Sequence, residues 1–404
     1  MSTIAPSPPP DMPLNFVLYT KGSGGDIFPF IRVGEELKHR GHRVTLMTHC
    51  GYEARAKGSA LDFVALDSPQ EYESFLADQE LLNSPQGIPR FLMRHSLPRA
   101  LGEYQLVSQQ CKGKNSLIVT RDLFDLVPRL AGEKLRLPLR WMFGNPSQVA
   151  TWKLREQLFS QFLGSEINRV RITVGLTSAP VASCEFGSSS LGVALWPEWF
   201  AASNANYPIP VAPVGFIRED DAPGVDIPPV IERVLNCGKP TVLITAGTGM
   251  YLGSNFYDVT AKACELVDCA GIAVTQHSAQ LPEDCRSCVT LFGILPFRKI
   301  MKQVHVIIHH GGLGTLACAM AAGIPQLVLP KGADRPDNAA RLQNLGVAEF
   351  LPPPKWQPEL IAQALMRLLS SPRVAEKCRT FADRLKDQDG TQAACQVIEQ
   401  FGLP

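Results

Sequence analysis

The stretch that most constrains the fold is residues 304–346, VHVIIHHGGLGTLACAMAAGIPQLVLPKGADRPDNAARLQNLG. An apolar run, Val306, Ile307 and Ile308, ends in two histidines and a glycine turn. The turn opens a helix, a second apolar run covers 326–329, and a polar loop leads into another helix near Asp337. This is a βαβα unit whose polar groups gather where strands end. Open α/β sheets bind ligands there, because the loops face a crevice and helices aim their free N–H groups into it.

The same alternation runs through the rest of the chain. From Asn15 the order is strand (FVLY), glycine loop (TKGSGGDIFPF), helix (IRVGEELKHRGH) and strand (RVTLMTH). Phe30, Val33 and Leu37 share one helical face, and Gly41 suits the helix end. A strand at 116–120, a helix near 123–135 and a strand at 139–143 follow. Residues 67–114 and 144–178 are helical in tendency and less periodic, as insertions that shape a pocket are. Proline density rises from Pro197 to Pro240, which reads as a boundary because proline disrupts helices and interior strands. Strands are then expected at 241–245, 271–275 and 289–292, and closing helices around 358–370, 373–386 and 391–401.

Two βα series separated by a proline-rich linker predict an α/β protein with two doubly wound sheets facing across a cleft. The expected organisation is a Pro-rich tail at 1–13 and an N-terminal domain at 14–218. A linker at 219–238 and a second domain at 239–385 follow, and a last helix at 386–404 packs back towards the first domain.

Lys plus Arg number 39 and Asp plus Glu 38, so a net charge of +1 argues against nucleic acid or an anionic membrane as the main partner. No stretch reaches the roughly 18 uninterrupted apolar residues of a membrane span. The start, MSTIAPSPPPDMP, lacks the basic and apolar regions of a secretory signal. The 11 cysteines are scattered and odd in number, which fits a reducing, cytoplasmic setting better than a disulfide framework. Cys285 and Cys288 form a lone CxxC without a second pair, so a turn before a strand accounts for them better than a metal or redox site.

Three loops carry candidate chemistry. In HHGGLGT, 309–315, Gly311, Gly312 and Gly314 let backbone approach a ligand, and the helix that Thr315 begins offers amides and partial positive charge to a phosphate. His310 can donate one more hydrogen bond. The pattern is neither the dinucleotide GxGxxG nor a P-loop, and tight strand-to-helix packing would also explain the glycines. In PKGADRPDNA, Asp334 can accept two sugar hydroxyls, Arg335 follows it, and Asp337 reads as a helix cap. In AGTGMYLGS, Gly247 and Thr248 offer amides and a hydroxyl. Three such loops on one cleft fit a nucleotide diphosphate-sugar.

The run HHGGLGT, then AGIPQLVLP, Asp334, Asn338-Ala339 and Leu345-Gly346 resembles the donor signature of the UDP-dependent glycosyltransferase superfamily with the GT-B fold. GSGGDIFPF is similar to the corresponding segment of sterol glucosyltransferases and of bacterial antibiotic and natural-product glycosyltransferases, and residues 196–217 resemble their pre-linker segment. The resemblance implies an inverting transfer from a UDP- or dTDP-sugar to a hydroxyl. Asp26 is the implied base, with Ser23 and Asp122 assisting. An N-cap role on a helix starting near Phe28 and Pro29 is the alternative for Asp26, and His49 and His95 are the alternative bases. No aspartate pair is spaced for a metal, so the leaving diphosphate falls to His310, the glycine amides of Gly312, Gly314 and Gly247, and the hydroxyls of Thr315 and Thr248.

Asp334 and Arg335 are implied at the sugar. Relatives commonly have Asp-Gln here, so Arg335 either reads an unusual sugar or pairs with Asp334 and Asp337. Backbone of Leu295 or Phe297 is implied at the nucleobase. No cofactor beyond the co-substrate is expected, and the protein is read as a monomer or homodimer. A nucleotide-sugar epimerase of similar architecture and a non-catalytic donor-binding partner protein remain alternatives. The acceptor would contact 69–105 and 143–171, where Phe75, Phe91, Met93, Trp141, Trp152, Phe159 and Phe162 suit either a lipophilic aglycone or an ordinary core.

Overall fold

The computed structural model describes residues 13–84, 86–113, 115–121, 125–179, 191–202, 207–218, 226–248, 253–275, 289–292 and 295–400. The tail, Asp122 and the Cys285/Cys288 pair lie outside the described residues. The chain forms two compact units, one of residues 1–217 with 389–404 and one of residues 218–388.

The first unit carries β1 (Asn15–Tyr19), β2 (Arg43–Thr48), β3 (Asp62–Ala65), β4 (Ser116–Thr120), β5 (Leu139–Phe143), β6 (Leu191–Ala194) and β7 (Val211–Pro213). They form one parallel sheet in the order β3-β2-β1-β4-β5-β6-β7. The second unit carries β8 (Thr241–Thr245), β9 (Ala270–Val274), β10 (Val289–Phe292), β11 (Val306–His309), β12 (Gln326–Val328) and β13 (Ala348–Phe350), in the parallel order β10-β9-β8-β11-β12-β13. Both sheets reverse direction of winding once, between β1 and β4 and between β8 and β11, and each reversal opens a crevice at the carboxyl ends of its strands.

Parallel strands need cover on both faces, which their near-continuous apolar runs supply. In β8 and β11, Val242, Ile244, Val306 and Ile308 face a core with Phe256 and Ile361. The alternate residues Leu243 and Ile307 face a second core with Ile300 and Met301. Burial of both faces makes the two central strands the rigid platform for the loops that follow them.

The proline-rich stretch is more structured than its composition suggests. Val211–Pro213 is the last strand of the first sheet, an edge position where Pro213 interrupts no interior ladder. Pro229–Leu235, inside the span read as linker, is a helix that buries Ile231 in a core of the second unit. Its proline at the first helical position costs nothing, since that N–H has no intrahelical partner.

The closing helix Gly390–Gln400 belongs to the first unit and fully buries Ala394, Cys395 and Ile398. Glu399 binds Arg40 Nη1 at 3.0 Å and His42 Nε2 at 2.9 Å.

Of the aromatic and methionine residues considered for the acceptor, Trp141 and Trp152 are core, packed edge to face at 5.0 Å. Phe75, Phe91 and Phe159 are also buried, and only Met93 and Phe162 are exposed. Core packing therefore explains five of the seven. A cavity of about 330 Å³ lies in the first unit between the same two segments, lined by Met93, Leu97, Pro98, Leu101, Arg169 and Val170 among others.

Candidate active site

In the first unit the helix after β1 runs Gly24–His39, with Ser23 as its N-cap and Asp26 as its third residue. It starts earlier than the expected site near Phe28, so Asp26 does not cap it but completes a capping box. Asp26 Oδ2 accepts from Ser23 N at 2.9 Å and from Ser23 Oγ at 3.1 Å. Its other oxygen, Oδ1, accepts from Arg121 Nη1 at 2.5 Å. Arg121 directly follows β4, so this ion pair spans the crevice between β1 and β4. Asp26 is 30% exposed at the side chain, which leaves its carboxylate reachable by a substrate.

The loop carrying Asp26 is held from beneath. Gly22 adopts a φ of +139°, and a side chain there would collide with the Asp26 carboxylate, so this position requires glycine. Gly22 N donates to His49 Nε2 at 3.0 Å, while His49 Nδ1 and Asp67 Oδ2 are 2.5 Å apart. His49 and the side chain of Asp67 are fully buried. Burial, aided by the nearby Lys21 and Arg99 charges, pushes the His49 imidazole below its ordinary value despite Asp67. Burial opposes ionisation of Asp67, but the His49 hydrogen bond and charge, the Cys50 amide and the Arg99 charge together outweigh it, and the carboxyl lies below its usual range. With one ring nitrogen accepting from a backbone amide, His49 supports the loop and offers no base to a substrate. His95 is likewise buried, its Nε2 bonded to Asp78 Oδ2 at 2.7 Å.

In the second unit the helix after β11 runs Leu313–Ala322 with Gly312 as N-cap. It begins two residues before Thr315, which is its third residue. The first helical bond beyond the cap is Leu316 N to Gly312 O at 3.1 Å, so the amides of Leu313, Gly314 and Thr315 precede any intrahelical partner. Such a helix start attracts an anion.

The two histidines before it have different tasks. His309 is fully buried, its Nε2 3.0 Å from Gln326 Oε1 and its Nδ1 accepting from Gly311 N at 3.1 Å. Burial lowers its pKa to about 4, so it stays neutral as a structural pin. His310 is half-buried, and its ring lies against the backbone of both Gly247 and Gly312. Burial first, and then the Arg335 and His309 charges, hold it well below the ordinary histidine value. His310 is therefore a neutral imidazole at neutral pH, with the Thr245 backbone beside it as a hydrogen-bond partner.

The loop after β12 is clamped to the loop after β11. The buried Asn338 Nδ2 donates to Gly311 O at 3.0 Å and to Asp334 Oδ2 at 2.8 Å. The helix here runs Arg335–Leu345 with Asp334 as N-cap, so Asp337 is not the cap. Instead Asp337 accepts from Arg341 Nε at 2.9 Å. Arg335 is the first helical residue, is buried, and donates from Nη1 to Lys331 O at 2.7 Å. Gly247 and Thr248 follow β8 after Ala246, and Gly247 lies beside the histidine turn. The Leu295 side chain is buried in a core of the second unit, and the partly buried Phe297 packs against that core.

Of the residues read from the sequence, Ser23 and Asp26 lie at the β1–β4 reversal and Gly247, His310, Gly312, Gly314 and Thr315 at the β8–β11 reversal, while Asp334 lies in the loop after β12. Sequence reasoning missed Arg121 and the His49–Asp67 support. Arg121 carried one usable signal, a charged residue immediately after a strand with an apolar centre, residues 117–119, beside the reversal.

Two doubly wound parallel sheets, each with its loops gathered at one reversal of winding, are the architecture of the GT-B fold. The chain is a glycosyltransferase: residues 16–112 match the glycosyltransferase family 28 N-terminal domain, and residues 243–399 match the erythromycin biosynthesis protein CIII-like C-terminal domain. It is similar to the O-mycaminosyltylonolide 6-deoxyallosyltransferase of Streptomyces fradiae, 25% identical over 96% of this chain and 97% of that protein. It is also similar to the sterol 3-beta-glucosyltransferase of Leptosphaeria maculans, 23% identical over 96% of this chain. The chain spans only 29% of that longer relative. The crystal structure of the calicheamicin glycosyltransferase CalG4 shares the fold, with a TM-score of 0.71 at 19% identity over 96% of this chain and 98% of that one. No helix among the described residues is long and apolar enough to cross a membrane.

Proposed function

We propose that this glycosyltransferase moves a sugar from a UDP- or dTDP-sugar to a hydroxyl of a small lipophilic or aromatic acceptor, natural product or sterol-like, with inversion and without a metal. The observation that carries this reading is the helix start at Leu313, whose three unpartnered amides and neighbouring His310 suit a leaving diphosphate. Those groups supply fixed dipoles where charge develops, which is the role a metal would otherwise fill. Asp334 grips sugar hydroxyls, its carboxylate oriented by Asn338. Asp26 takes the proton of the acceptor hydroxyl as that oxygen attacks the anomeric carbon and the bond to the diphosphate breaks.

The acceptor class is supported by the names of the relatives, O-mycaminosyltylonolide in one and a sterol in another, and by the cavity whose lining joins Met93, Leu97 and Leu101 to Glu166 and Arg169. The balanced charge and scattered cysteines suit a cytoplasmic enzyme. The deciding experiment incubates the protein with UDP-glucose and dTDP-glucose against a panel of phenols, macrolides and sterols, with and without EDTA, and reads glycosides by mass spectrometry. A product mass increased by one hexose, unaffected by EDTA, is expected. Turnover of nucleotide sugar to an epimer with no acceptor, or nucleotide binding without turnover, would replace this reading.

A further inference from the structure

Resting on the reading of Asp26 as base, we infer that Arg121 is a positioning residue that fixes which oxygen of Asp26 meets the acceptor and in which direction. Asp26 Oδ2 is committed to the capping box with Ser23. Oδ1 is therefore the oxygen left for the acceptor, and Arg121 Nη1 takes one side of it at 2.5 Å. A carboxylate oxygen has two acceptor directions, so one remains. Ser23 and Arg121 together stop the carboxylate from rotating, and the remaining direction is set.

The two side chains come from segments 95 residues apart, and the β-ladder brings them together. Tyr19 pairs with Thr120 across β1 and β4, so Arg121 leaves the sheet directly beside Thr20. Thr20 Oγ1 in turn donates to Asp26 O at 3.1 Å, tying the first helical turn to the same strand end. Arg121 is 15% exposed at the side chain, packed enough for its planar fork to hold one geometry. Arginine suits the task better than lysine, whose flexible ammonium would not hold a plane.

The test uses the full chain with UDP-glucose and dTDP-glucose and the acceptors of the panel above, comparing wild type, Arg121→Ala, Arg121→Lys, Asp26→Asn and the Asp26→Asn/Arg121→Ala double variant. Misplacing a reacting group by about an ångström costs on the order of 10²-fold. Arg121→Ala should therefore lower kcat by roughly 10- to 100-fold and leave the donor KM within about twofold. Arg121→Lys should recover part of the loss. In the Asp26→Asn background, removing Arg121 should cost less than about twofold, because residues that act through one another are not additive. An unchanged kcat in Arg121→Ala, or an equal fall in the Asp26→Asn background, overturns the inference while leaving Asp26 as base. Wild-type turnover in Asp26→Asn overturns the base and this inference together. A panel that yields no glycoside overturns the proposed function itself.

Discussion

Gly247 lies against the His310 ring across the β8–β11 reversal: a Cβ built on Gly247 would sit 2.5 Å from His310 Cε1. Gly312 meets the same Cε1–Nε2 edge of the ring, its Cβ position 2.5 Å from Nε2. The imidazole thus occupies a slot that exists only because two backbones lack side chains. Gly247 also needs its φ of +75°, but Gly312 has an ordinary φ of −68°, so alanine at 312 tests the slot alone. Gly312→Ala should fold normally and weaken UDP and dTDP binding by about tenfold or more, the displacement of one charge-facing donor being worth roughly 1.5–3 kcal/mol. Titration calorimetry decides; equal affinity in Gly312→Ala would mean that His310 does not grip the diphosphate from this slot.

Arg335 bears on donor choice through its loop. The guanidinium is buried and bonded to Lys331 O, Asp337 is engaged by Arg341, and Asp334 by Asn338. The residue holds the 331–334 loop closed on the helix start, which favours a bracing role over direct sugar reading. Arg335→Gln should raise KM about tenfold for every nucleotide sugar, the order expected for losing a charged hydrogen bond, and keep their ranking. A reordered ranking would instead assign Arg335 to specificity.

Acid should destabilise the fold through its histidines. His49, His309 and His310 all have folded pKa values below the ordinary 6.5. As pH falls through 6.5 the unfolded chain takes up protons that the folded chain refuses, so the stability present above that value is lost on acidification. For His309, lowered to about 4, the loss approaches about 3 kcal/mol by pH 4. Asp67, lowered as well, adds a loss of the same sign at more acid pH. Urea midpoints should fall steadily from pH 7 to pH 5. A flat midpoint over that range would show that these rings are not held neutral.

The regular parts of this fold were legible because period and burial agree. FVLY, SLIVT and TVLIT became β1, β4 and β8, and the helix read at 358–370 forms with those bounds. The helix starts were misplaced at Asp26, Thr315 and Asp337 for one reason: Gly24, Gly25, Gly312 and Pro336 look like helix breakers. In the first turn that penalty is small, since those amides have no intrahelical partner to lose. β7 was hidden by Pro213, and β13 by having only three residues. Arg121 was hidden more deeply, because its pairing with Asp26 exists only through the register of two strands about a hundred residues apart.

The closing helix makes a test that separates the two units. Ile398 is fully buried on Gly390–Gln400, beside Ala394 and Cys395, and Cys395 Sγ lies 3.6 Å from Val33 O of the helix that carries Asp26. Gly390 packs so closely on Phe216 that a Cβ there would lie 2.5 Å from the carbonyl oxygen, which fixes where the helix begins. Ile398→Ala removes buried methyl groups and leaves a cavity, a change that costs about 2–5 kcal/mol. That loss belongs to the core of the first unit. Hydrogen exchange should speed up in peptides covering β1 and β4 and stay unchanged in those covering β8 and β11. Faster exchange in the second set, with the first unaffected, would mean that this helix stabilises the other unit.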